Sequence, residues 1–161
     1  MSSERFAFAV PFRELVPTVD DWRERACTSK PSHGVPPHVT LLIPAPSDVD
    51  AATAALEPFA PFEVTFSRFG RFPDTLWLAP EPSEPFVSMT QALLRAFPEH
   101  TPYEGLFDEI TPHLTVAQGA ALDAAEESIR PRLPRRALAT SVVLFEQIAP
   151  NRWRVTAELE L

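Results

Sequence analysis

Nineteen of the 161 residues are proline, against a usual share of about 5%. Proline has no backbone N–H and clashes with the preceding helical turn, so helix interiors and central strands exclude it. A chain punctuated this often must be built from short elements joined by turns. The segments between prolines then show their periods. Arg5–Phe12 alternates Phe6, Phe8, Val10 and Phe12 and reads as a strand. Val19–Ser29 follows Thr18 as a candidate cap, with Asp20, Asp21 and Glu24 near its front, and reads as a helix. Lys30–Pro37 is a Pro/Gly/Ser loop, His38–Ile43 a second strand, and Ser47 or Asp48 caps an Ala-rich helix to Leu56.

Phe62–Phe72 alternates as a strand and turns at Pro73-Asp74 into Thr75–Ala79, a hairpin. Glu84–Phe97 places Phe86, Met89, Leu93, Leu94 and Phe97 on one helical face. Pro98–Thr111 reads as a loop, His113–Ala117 as a strand and Asp123–Arg130 as a helix. A final strand pair covers Ala137–Glu146 and Arg152–Leu161. This order predicts an α+β fold with mainly antiparallel sheets. Leu, Ile, Val and Phe together number 44, enough for a packed core in one domain spanning 1–161.

The scarce residues exclude several chemistries. Four glycines, none close together, leave neither a Walker loop nor a dinucleotide fingerprint. The only lysine, Lys30, precedes Pro31, a poor setting for a lysyl-nucleotide. The single cysteine, Cys27, allows no internal disulfide, and no His/Cys cluster has zinc-ligand spacing. No cofactor and no metal are therefore expected. A net charge of −8 argues against coating duplex nucleic acid. No secretory pattern opens the chain and no apolar run approaches a bilayer span, so the expected location is cytoplasmic, away from membranes.

One pattern occurs twice. Pro37-His38-Val39-Thr40-Leu41 returns as Pro112-His113-Leu114-Thr115-Val116. On a strand, residues two apart share a face, so each copy presents a histidine and a threonine together. If the two strands meet at a cleft, two imidazoles and two hydroxyls converge. Such a quartet suits a phosphodiester: one neutral imidazole takes a proton, one imidazolium returns a proton, and the hydroxyls donate to phosphate oxygens. A lone His-x-Thr is uninformative, whereas two copies, each after proline and before an aliphatic residue, carry weight.

The paired His-x-Thr motif resembles that of the 2H phosphoesterases, in the branch of 2′-5′ RNA ligase-like proteins and RNA 2′,3′-cyclic phosphodiesterases. The first strand, Pro36–Ile43, the Phe69–Leu78 hairpin and Phe107–Val116 all take part in the resemblance. It implies a bilobed, pseudo-twofold fold of two mainly antiparallel sheets with flanking helices and a central cleft. It also implies opening of 2′,3′-cyclic phosphates to 2′-phosphates, on an RNA terminus or a small nucleotide. Some members are named for a weak, reversible 2′-5′ joining of RNA ends. His38 and His113 would be the acid/base pair, and Thr40 and Thr115 the phosphate-binding hydroxyls. The family often carries arginine five positions after the second histidine, where this chain has Gln118.

Arg68 and Arg71 are the first candidates to replace that cation. Tyr103 and Phe107, flanking Gly105, are candidates to stack on a base. Trp77 and Phe72 are expected in the core, and His33 and His100 in solvated loops. The same cleft without turnover would make a nucleotide-binding module, and a different cyclic-phosphate or 2′-5′ linked substrate is a third reading. A monomer is expected.

Overall fold

The computed structural model describes residues 5–99 and 110–161. Among these residues, eight strands and four α-helices follow one another as β1 (Phe6–Pro11), α1 (Val16–Ala26), β2 (His38–Ala45), α2 (Val49–Leu56), β3 (Phe62–Phe72), β4 (Thr75–Glu81), α3 (Glu84–Ala96), β5 (Leu114–Gln118), α4 (Leu122–Ile129), β6 (Arg135–Ala139), β7 (Ser141–Ala149) and β8 (Arg152–Glu160). The strands form two four-stranded antiparallel sheets, ordered β2-β1-β7-β8 and β5-β4-β3-β6. The fold is α+β, and each His-x-Thr motif lies on or beside an edge strand of its own sheet.

The sequence of β1 explains how one sheet makes both a core and a cleft. Phe8 and Val10 enter the main core, while Ala7 and Ala9, on the opposite face, join Val35, Val143 and Phe145 in a second apolar cluster. Large residues on one side and alanines on the other leave room above the sheet. β7 divides likewise, with Val142 and Leu144 in the main core and Val143 and Phe145 in the second cluster.

The helices are exchanged between sheets. α1 connects β1 to β2 yet packs on β5 of the other sheet, beside α4. α3 connects β4 to β5 yet packs on β2, beside α2. The strands are not crossed in this way: β3 to β6 form one sheet, and β7 and β8 return to complete the sheet of β1 and β2.

Three sequence expectations are corrected. Thr18 does not cap α1; the helix begins at Val16, with Pro17 in its first turn, and Thr18 is buried. Proline fits a first turn because its missing N–H would be unpaired there anyway. Asp48 does cap α2, accepting from the Ala51 N–H at 3.0 Å. The single strand expected over Ala137–Glu146 is two strands in different sheets, separated at Thr140. β6 alternates buried and exposed as an edge strand does, whereas β7 is buried continuously from Ser141 to Phe145, as a central strand is. Phe72 is not in the core: it is one of the exposed large apolar residues. Among the described residues, no helix is long and apolar enough to cross a membrane.

Candidate active site

β2 and β5 lie alongside each other, one from each sheet. Both are irregular at the same point of the motif. Thr40 pairs with Ala9 and Leu42 with Phe8, so Leu41 is skipped; Thr115 pairs with Trp77 and Ala117 with Leu76, so Val116 is skipped. In each strand the residue after the threonine is extra. Such bulges bend a strand and re-aim its side chains. The buried Thr90 hydroxyl of α3 donates to the Leu41 carbonyl at 2.8 Å, satisfying that oxygen and seating the helix on the bulge.

The histidines are held by a duplicated device. His38 Nδ1 bonds the carbonyl of Pro36 at 2.8 Å, and His113 Nδ1 bonds that of Thr111 at 2.7 Å. A carbonyl only accepts, so Nδ1 carries the proton in both rings and Nε2 is left for a substrate. Aromatic rings brace both imidazoles. Phe145 meets His38 edge-on at 5.4 Å between centroids, Phe72 meets His113 at 5.0 Å, and Trp77 stands 5.8 Å from His113. Trp77 in turn lies over Gly70, where a Cβ would overlap the indole ring. Trp77 and Phe72 thus flank His113 as a wall.

Burial pulls the His38 imidazole down to a pKa of about 4; the Pro36 carbonyl opposes this, while the Arg23 and His113 cations add to it. Burial also lowers His113, against the support of the Thr111 carbonyl. Both rings are therefore neutral at pH 7 in the free protein.

A cavity of about 300 Å³ has His38, Thr40 and Thr115 in its lining; His113, two residues before Thr115, is not among the lining residues. Thr28 and Ser29 form part of its wall from the end of α1. Ala7, Val35, Ile43, Phe145 and Trp153 give it an apolar floor, and Arg5, Gln147 and Asn151 stand in its polar lining. Imidazole and hydroxyl groups gathered from two lobes can bind a phosphate ester and exchange protons with it.

The other sequence candidates fall elsewhere. The Gln118 amide oxygen accepts from the backbone N–H and the hydroxyl of Thr28, at 2.9 and 3.1 Å, tying β5 to the loop after α1. Arg68 pairs with Glu81 at 2.7 Å, and Arg71 with Asp123 and Glu126 at 2.8 and 3.2 Å; neither lines the cavity. His33 is half-buried in the 3-10 turn Pro31–His33, away from the cavity lining. Tyr103, Phe107 and His100 lie outside the described residues.

Two arginines escaped the sequence reading. Arg23 is fully buried: it pairs with Asp20 at 2.7 Å and donates to the carbonyls of Ser29, Val35 and Pro36 at 2.9, 2.8 and 3.3 Å. Its place on the apolar stripe of α1, next to Trp22 and four residues after Val19, was a readable signal. Arg5 lines the cavity, and its phase with Ala7 and Ala9 marks it as cleft-facing.

Comparison with known proteins agrees with this architecture. The structure is similar to E. coli LigT in its apo form (TM-score 0.63, 19% identity, 98% of this chain and 97% of that one). It is also similar to E. coli LigT complexed with 3′-AMP (0.60, 17%, 98% of each) and to TT0787 of Thermus thermophilus (0.63, 20%, 98% and 97%). No curated protein matches the chain in sequence. The profile of the 2′-5′ RNA ligase superfamily matches residues 11–157, and by that match the chain belongs to this superfamily of 2H phosphoesterases.

Proposed function

We propose that the protein is a phosphodiesterase that opens 2′,3′-cyclic phosphates to 2′-phosphomonoesters without a metal, with His38 as base and His113 as acid. The observation that carries the reading is the pair of imidazoles anchored identically through Nδ1, each with a threonine two residues on. In the reaction, His38 Nε2 takes a proton from water as its oxygen attacks phosphorus. The bond from phosphorus to O3′ breaks, and His113, protonated at Nε2, gives its proton to O3′. The Thr40 and Thr115 hydroxyls donate to the non-bridging oxygens, which gain charge in the transition state. His38 is assigned as base because its pKa of about 4 keeps it neutral, and the buried Arg23 charge reinforces this. The complexes of E. coli LigT with 3′-AMP and with ATP support a nucleotide as the substrate class.

A nucleotide-binding module without turnover is the second reading, favoured by Gln118, whose amide is committed to Thr28 where the family often has arginine. One assay separates the two. The protein is incubated in EDTA with 2′,3′-cyclic AMP and with an RNA ending in a 2′,3′-cyclic phosphate, beside His38→Ala and His113→Ala. A 2′-phosphate formed by the wild type and lost in both variants is the expected result. Binding without product from a folded protein would select the binding module.

A further inference from the structure

Among the described residues, Arg5 is the only cation that lines the cavity. Most arginines of this acidic chain are engaged by carboxylates, including Arg23, Arg68, Arg71 and Arg132. Arg5 has no such partner among the described residues, and its side chain is exposed to the cleft solvent. Its backbone is fixed, because the Arg5 carbonyl accepts from the Gln147 N–H at 2.8 Å. Arg5 lies four residues before Ala9 and six before Pro11, the partners of Thr40 and His38; at about 3.3 Å per residue that is roughly 13 to 20 Å along β1. Arg5 thus enters the cavity from the far end of β1, well along the strand from the residues that pair with the His-x-Thr motif. Between Arg5 and the motif stands the apolar floor of Ala7, Phe145 and Trp153.

We infer that Arg5 forms a second anion subsite, which selects substrates carrying another phosphate one nucleoside away from the reacting one. The reacting phosphate occupies the His/Thr quartet, the nucleoside lies on the apolar floor, and the phosphate on its 5′ oxygen reaches Arg5, whose planar fork suits two phosphate oxygens. The subsite rests on the proposed orientation of a nucleotide in this cleft. Its ligand chemistry is shared by a terminal 5′-monophosphate and by the internal diester of a longer RNA end.

Equilibrium binding tests the subsite independently of turnover. Adenosine 2′-monophosphate, adenosine 2′,5′-bisphosphate and a 5′-hydroxyl diadenylate ending in a 2′-phosphate are titrated by calorimetry into wild type, Arg5→Gln and Arg5→Lys. The wild type is expected to bind at least one of the two doubly phosphorylated ligands about tenfold more tightly than the monophosphate, the gain of a charge-assisted phosphate contact. Arg5→Gln removes that ratio, and Arg5→Lys keeps part of it. Preference for the bisphosphate identifies a terminal phosphate as the partner of Arg5, and preference for the diadenylate identifies an internal diester. Equal affinities of the wild type for all three ligands, or a ratio unchanged in a folded Arg5→Gln, would overturn the subsite. Selective binding with no hydrolysis would leave the subsite standing and remove only the catalytic reading.

Discussion

Arg23 and His38 share one acceptor. The carbonyl of Pro36 receives His38 Nδ1 at 2.8 Å and the Arg23 guanidinium at 3.3 Å. A fully buried cation thus sits behind a half-buried imidazole, fixing the carbonyl that fixes the ring and discouraging a second positive charge there. One arginine of α1 thereby couples the stability of the lobe to the protonation of its histidine.

Replacing Arg23 by methionine leaves Asp20 and three carbonyls without their shared donor, so the variant is expected to lose about 3–5 kcal/mol, the usual effect of breaking a buried ion pair. Urea unfolding measures this. In the fraction that folds, the His38 pKa rises, because a nearby positive charge has been removed. NMR titration of the imidazole would show it, and an unchanged His38 pKa would sever the link between the two residues.

The pH dependence follows from the assigned roles. His38 acts as a base and must be deprotonated, so activity appears above about pH 4. His113 acts as an acid and must be protonated, and burial places its pKa below the ordinary 6.5. The kcat/KM profile is therefore a bell with its maximum on the acidic side of pH 6.5, already falling at neutrality. Rates rising through pH 8 at constant ionic strength would overturn the two-imidazole mechanism, since either assignment of the roles requires a bell.

Thr40→Val and Thr115→Val keep the size of the side chain and remove one donor each. Each is expected to lower kcat by about a hundredfold or more, as loss of an oxyanion donor does. Steady-state kinetics on a 2′,3′-cyclic nucleotide gives the comparison, and a change confined to KM would make the hydroxyls ground-state contacts only.

Gly70→Ala tests the wall behind His113. The added methyl collides with the Trp77 indole, which stands against the imidazole. Overpacking of this kind typically costs about 1–3 kcal/mol. A drop in activity larger than the drop in stability, with Trp77 fluorescence altered, is the expected outcome.

Much of this was legible in the sequence because it is local. A strand such as Phe62–Phe72 alternates from Phe62 to Ser67, and His-x-Thr needs only three positions. What failed to show depends on partners far along the chain. The departure at Gln118 was visible, but its bond to Thr28 spans 90 residues. Arg23 stood on an apolar stripe, yet the carbonyls it serves belong to a loop whose path the sequence does not reveal. The change of sheet at Thr140 needed the burial of both faces of β7, which a run of apolar residues suggests only once its neighbours are known.

The crossed placement of α1 and α3 has a mechanical consequence. Each imidazole lies on or beside a strand whose covering helix comes from the other sheet's connection, α3 on β2 and α1 on β5. The gap between the two rings is then set by the same packing that holds the interior together and inherits its stiffness. It cannot widen by bending at one linker, as a pair of independent bodies would. On heating, inactivation and global unfolding should therefore trace one curve, with no earlier loss of activity.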